Sequence, residues 1–171
     1  RDRDQAFSKT DGVFLYFLSR PWMLRSVRNM DGNIKDIAGV NLAGVSLDKN
    51  FTNELTKEDW LNTIQSVKQS LSDSVIHQSL MLMPKEIYAE SGAFLEKRLK
   101  QRRDNMEDYG MRYYKIINKQ ITLASSDKKE LFTINKIDNN TTEITIQKSG
   151  KKNSEGDTIF YRKFSHDLTK E

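Results

Sequence analysis

The sequence predicts an α+β fold: a mainly helical part over residues 1–118, followed over residues 119–171 by a small antiparallel β-meander of about four strands. Three observations predict it. Between Thr56 and Ile117 the apolar residues recur at steps of three and four, the period of one helix face. Beyond Asn118 they recur at every second position, the period of a strand. All of the helical signal precedes all of the strand signal, which is the order of an α+β chain.

The elements follow in order. Val13 to Leu18 is an apolar run that reads as a short helix or buried segment, followed by Arg20-Pro21-Trp22 and then by Gly32, Gly39 and Gly44 at loop-like intervals. Thr56-Lys57-Glu58-Asp59 has the form of a helix start, with Thr56 as a cap and acidic side chains in the first turn. Trp60, Ile64, Val67 and Leu71 then share one side of that helix. Ser72-Asp73 opens a second, shorter helix through Val75, Ile76 and Leu80. Pro84 suits the first position of a third, which carries Ile87, Tyr88, Phe94, Leu95 and Leu99 with an expected restart or kink at Ser91-Gly92. Met106, Tyr109, Tyr113, Ile116 and Ile117 complete the helical region. Ile121 and Leu123, Phe132 and Ile134, Ile144 and Ile146, and Ile159, Tyr161 and Lys163 mark the four strand runs. Asp138-Asn139-Asn140 is a turn signal between two of them, and Ser149 to Gly156 reads as a longer basic hairpin loop.

Composition narrows the function classes. The 171 residues hold 36% hydrophobic and 30% charged side chains, with a mean hydropathy of −0.72, so the surface must be strongly polar. Cysteine is absent, which removes disulfides, thiol catalysis and Cys-ligated zinc. No run approaches the roughly 18 consecutive apolar residues of a membrane span. The net charge of +4 invites a nucleic-acid partner, yet basic and acidic residues number nine and nine over 1–60, nine and seven over 61–118, and ten and eight over 119–171. So even a spread gives no basic face. The densest cationic stretch, Lys97, Arg98, Lys100, Arg102 and Arg103, points around most of a helix circumference and reads as a solvated surface. The two histidines, His77 and His166, stand outside any HExxH spacing, and neither a GxSxG elbow nor a GxxxxGK[ST] or GxGxxG phosphate loop occurs. Trp22, Trp60, Phe160, Tyr161 and Phe164 read as core aromatics, with a partner-binding surface on the meander as the alternative for the last three.

Chemistry concentrates at the start of the chain, in Arg1-Asp2-Arg3-Asp4-Gln5-Ala6-Phe7. Two carboxylates two residues apart can face the same way from an extended segment and hold a hard cation such as Mg²⁺. Taken alone, such a stretch defaults to a solvated terminus.

That motif with Asp11-Gly12 resembles the central region of large bacterial envelope proteins that join a calcineurin-like metallophosphoesterase to an outer-membrane surface-antigen barrel. The resemblance continues through Leu47-Asp48-Lys49-Asn50-Phe51, Asn53-Glu54-Leu55-Thr56, Glu58-Asp59-Trp60, Met83-Pro84-Lys85-Glu86-Ile87-Tyr88, Lys100-Gln101-Arg102-Arg103-Asp104-Asn105, Tyr113-Tyr114, Ser126-Asp127-Lys128-Lys129-Glu130 and Thr169-Lys170-Glu171. It implies that residues 1–118 are the end of an atypical kinase-like lobe, that Asp2 matches a Mg²⁺-binding aspartate, and that Asp4 is a second ligand or an orienting group. It implies Mg²⁺ with ATP in the parent protein, a location at the cell envelope, and the other domains of the same polypeptide as partners. The phosphate-covering loop, the ATP-pairing lysine and the metallophosphoesterase His/Asp motifs are all missing from these 171 residues, and Thr169-Lys170-Glu171 carries no stop signal. The expectation is a non-catalytic piece of a longer chain with a linking role. The alternative is the C-terminal part of a kinase-like phosphotransferase.

Overall fold

A computed structural model describes residues 12–18, 20, 22–23, 29–124, 126–149 and 155–166. The fold is α+β, with helices first and one antiparallel sheet after them. Helices α1 (Val13–Leu18), α2 (Ile37–Val40), α3 (Val45–Phe51), α4 (Lys57–Ser70), α5 (Asp73–Met81), α6 (Lys85–Asp104) and α7 (Met106–Ile117) precede strands β1 (Glu130–Lys136), β2 (Thr141–Ser149) and β3 (Glu155–Ser165). The chain divides into two compact units: Arg1–Val45 with Glu58–Tyr113, and Ser46–Lys57 with Tyr114–Glu171.

In the first unit α5 and α6 form a helical hairpin. Ser72 caps α5, its hydroxyl accepting from the Val75 amide at 3.2 Å, so the helix start expected at Ser72-Asp73 is present. Ile76 and Leu80 of α5 meet Leu95 of α6 and Met30 in a buried cluster, with Met83, Tyr88 and Leu99 packed around it. Full burial of each such aliphatic side chain contributes about 1.5–3 kcal/mol. The helix does not restart at Ser91-Gly92: α6 runs unbroken from Lys85 to Asp104. Gly92 is buried because its missing Cβ leaves room for the Tyr88 ring, whose nearest carbon would lie 2.7 Å from a Cβ there. Helix α4 packs on α7 in a similar way, with Gly110 making space for Ile64 and its carbonyl accepting from Trp60 Nε1 at 2.9 Å. Trp60 is thus a half-buried anchor, whereas Trp22, expected in the core, is 71% exposed.

The second unit is built on the sheet, in the order β1-β2-β3 with both pairs antiparallel. Asp138 to Asn140 make the first turn, the Asn140 amide donating to Asp138 Oδ1 at 2.7 Å. The middle of the second hairpin, residues 150–154, lies outside the described residues. Three strands are present among the described residues where about four were expected. Ile121 and Leu123 lie outside the strands and pack against the buried cluster of Ile146, Phe160 and Phe164, without pairing as a strand.

Candidate functional site

Asp2 and Asp4 lie outside the described residues. Among the described residues of the first unit, a cleft of about 300 Å³ with a mixed polar and apolar lining lies beside the segment 29–36. Long side chains of α6 and α7 hold this segment in place. Arg102 Nε donates to the Asp31 carbonyl at 2.7 Å. Arg112 reaches the Lys35 carbonyl at 2.6 Å and the Ile34 carbonyl at 3.3 Å. The Tyr109 hydroxyl accepts from the Ile34 amide at 3.0 Å and has Gly32 O at 3.1 Å and Asn33 Oδ1 at 3.2 Å as acceptors for its one proton. Asp36 closes the segment by accepting from the Gly39 amide at 2.9 Å, which caps α2.

The cleft lining is mixed in charge, with Arg20, Lys35 and Arg102 against Asp31 and Asp36. The Arg20 guanidinium lies 3.9 Å over the Tyr16 ring, a cation–π stack at the same cleft. Burial pushes the Arg102 guanidinium below its ordinary pKa, with the nearby Asp31 opposing that shift. Its volume is at the small end of ligand pockets, which span about 300–1,000 Å³. The carboxylates offer hard oxygen donors and the cations offer partners for an anionic group. Among the described residues, no three His, Asp or Glu side chains come together as a metal cage.

Of the cationic stretch of α6, Lys100, Arg102 and Arg103 are tied to groups outside the helix. Lys100 Nζ bridges Glu96 at 2.8 Å and Asp73 at 3.1 Å. Arg103 pairs with Asp73 at 2.5 Å and Asp104 at 2.9 Å and donates to the Leu71 carbonyl at 3.1 Å. The two ion partners and the Lys100 hydrogen bonds hold the Asp73 and Glu96 carboxyls below their ordinary range: Arg103 leads for Asp73, Lys100 for Glu96. His77 contacts Glu96 at 3.1 Å and meets the Tyr88 ring edge-on. His166 Nε2 is 2.9 Å from the Thr142 hydroxyl in the second unit.

The second unit buries a cation. Arg162 is 5% exposed and donates to the Asn53 carbonyl, to Asn118 Oδ1 at 2.6 Å and to the Tyr114 hydroxyl at 3.2 Å, with its guanidinium 4.9 Å from the Phe164 ring centre. Among the described residues all of these oxygen partners are uncharged, and burial pushes its pKa down; arginine nonetheless stays protonated. Phe160 and Phe164 are buried as core aromatics, while Tyr161, on the opposite phase of β3, is 51% exposed.

No protein-family model, curated protein or solved structure matches this chain. Sequence reasoning placed Tyr109 on the helical stripe without its polar role, and it passed over Arg112 and Arg162. For Arg162 a signal existed, since a charged residue between Phe160 and Phe164 shares their inward phase.

Proposed function

We propose that the chain is a non-catalytic structural module, a linking piece of a multidomain bacterial envelope protein of the metallophosphoesterase and surface-antigen kind. One observation carries this reading. The long cationic side chains that could serve a substrate or a polyanion, Arg102, Arg103, Arg112 and Arg162, each donate to main-chain carbonyls at least 32 residues away in sequence. Their charge and reach are used to hold loops and helix ends, which is what a spacer between working domains requires. The test is turnover: the purified 171-residue chain with Mg²⁺ is expected to hydrolyse neither a phosphomonoester nor ATP. Turnover that Asp2→Ala abolishes contradicts the proposal.

The charged groups lining the cleft favour a second reading, a Mg²⁺- and ATP-dependent phosphotransferase region to which Asp2 and Asp4 belong. Asp31 and Asp36 suit a hard cation, and Arg20 and Lys35 suit phosphate oxygens, so the residues present fit a phosphate-bearing ligand. Bound there, the metal would supply charge neutralisation at the phosphates; the chain's own part would be to bind and orient them. Calorimetry with Mg²⁺ and ATP at millimolar concentration separates the readings. Saturable heat lost in Asp2→Ala supports the second, and its absence leaves the first.

A further inference from the structure

Strand β1 stands at one edge of the sheet. Hydrogen bonds from the Ser149 amide to the Lys129 carbonyl, 2.9 Å, and from the Ile137 amide to the Thr141 carbonyl, 3.0 Å, bracket its pairing with β2. They fix the phase: the odd-numbered residues of β1 exchange bonds with β2. Glu130, Phe132, Ile134 and Lys136 therefore turn their N–H and C=O groups away from β2, toward an edge that no strand among the described residues covers. The side chains of these four share the face on which Phe132, Ile146 and Phe160 lie side by side. On that face Ile146 and Phe160 are 4% and 8% exposed, but Phe132 is 41% and Ile134 66% exposed. The covered apolar face thus runs out uncovered at β1, and an open apolar edge is a template for another strand.

The β1 sequence identifies the strand that fits. Glu130-Leu131-Phe132-Thr133-Ile134-Asn135-Lys136 is complementary to itself in reverse. Laid antiparallel about Thr133, two copies set Glu130 opposite Lys136 and Phe132 opposite Ile134, with Thr133 facing Thr133. Opposite charges and an aromatic beside a β-branched residue are stabilising cross-strand pairs. A two-residue slip in one direction sets Glu130 against Ile134, and in the other sets Lys136 against Phe132, so this register alone matches both charge and apolarity. It also pairs the open backbone groups of Phe132 and Ile134 with each other across the axis.

We infer that β1 is a homodimerisation edge, pairing antiparallel with β1 of a second copy so that one sheet runs through both chains across a twofold axis. The Glu130 carboxylate is held by the Ser126 hydroxyl and by the Ser126 amide at 3.2 Å, bonds that orient it and leave its charge available to Lys136 of the other copy. A single strand pair is a small contact by the measure of stable complexes, so the association is weak and reversible.

Sedimentation of the 171-residue chain over a concentration series tests this. The wild-type chain forms a reversible dimer. Glu130→Lys and Lys136→Glu each turn two symmetry-related attractions into repulsions and weaken dimerisation by about tenfold or more. An equimolar mixture of the two variants restores it, because the reversed charges then meet their opposites. Ile134→Glu, at an exposed position, serves as a second probe and gives a monomer. A wild-type chain that stays monomeric to millimolar concentration overturns the inference. So does a dimer unaffected by all three substitutions, or a mixture no more associated than its components.

Discussion

Arg162 illustrates how a single residue organises the second unit. Its guanidinium joins β3 to the Asn53 carbonyl and to the C-terminal end of α7, where Asn118 both accepts from it and donates to the Tyr114 carbonyl at 2.9 Å. Removing it leaves a cavity beside Tyr114, 2% exposed, and takes the guanidinium donor from the Oδ1 of Asn118, 3% exposed. Arg162→Ala is expected to cost about 3 kcal/mol or more in urea unfolding followed by circular dichroism. Arg162→Lys does not recover it, because one ammonium cannot reproduce a planar fork that meets three acceptors. A smaller loss than about 1 kcal/mol would contradict that geometry. Tyr109 plays the matching part in the first unit, 9% exposed with the Ile34 amide on its hydroxyl. In Tyr109→Phe the Ile34 amide is left without that acceptor, and its hydrogen exchange is expected to accelerate while amides in the middle of α6 keep their protection.

At the scale of elements, the α5–α6 hairpin combines a buried apolar seam with an ionic rim. Gly92→Ala raises intrinsic helix propensity by about 1 kcal/mol. The added methyl meets the Tyr88 ring, however, and overpacking of this kind costs about 1–3 kcal/mol. A net loss of stability is expected; a gain would mean that the ring moves aside freely. The rim gives a pH dependence whose sign is fixed. Asp73 and Glu96 have folded pKa values below their ordinary 3.8 and 4.5, so what they add is complete at neutral pH. It declines as the pH falls through those ordinary values and is lost below the depressed ones. Lys100, raised above 10.5, keeps its contribution until strongly alkaline pH. Both carboxylates are solvent-screened, so the effect is modest. The wild-type urea midpoint is expected to drop more between pH 6 and 3 than that of Asp73→Asn; equal drops would contradict the pairing.

For the molecule as a whole, what was legible in the sequence was local. The α5 cap at Ser72, the Asp138–Asn140 turn and the change of period near Asn118 each depend on residues within a few positions of one another, and all appear in the structure. The unbroken α6 was misread because Gly92 serves packing against Tyr88, which a one-dimensional breaker rule does not register. Ile121 and Leu123 show that alternation reports a buried face without guaranteeing a paired strand. The cleft was illegible for a related reason: its segment is held by hydrogen bonds spanning 71 to 78 positions. The cationic stretch of α6 likewise looks like free surface until its partners in α5 and the loop before it are placed.

That the arginines serve the fold is the central claim, and urea unfolding of Arg102→Gln/Arg112→Gln against the wild-type chain tests it most directly. Trp60 and Trp22, both in the first unit, report the transition by fluorescence. With four charge-assisted or long-range bonds to the Asp31, Ile34 and Lys35 carbonyls and Asp108 removed, and allowance for partial exposure, a loss of about 1–2 kcal/mol is expected. A change within about 0.5 kcal/mol, the range of ordinary surface substitutions, would contradict the account and make these cations solvated surface.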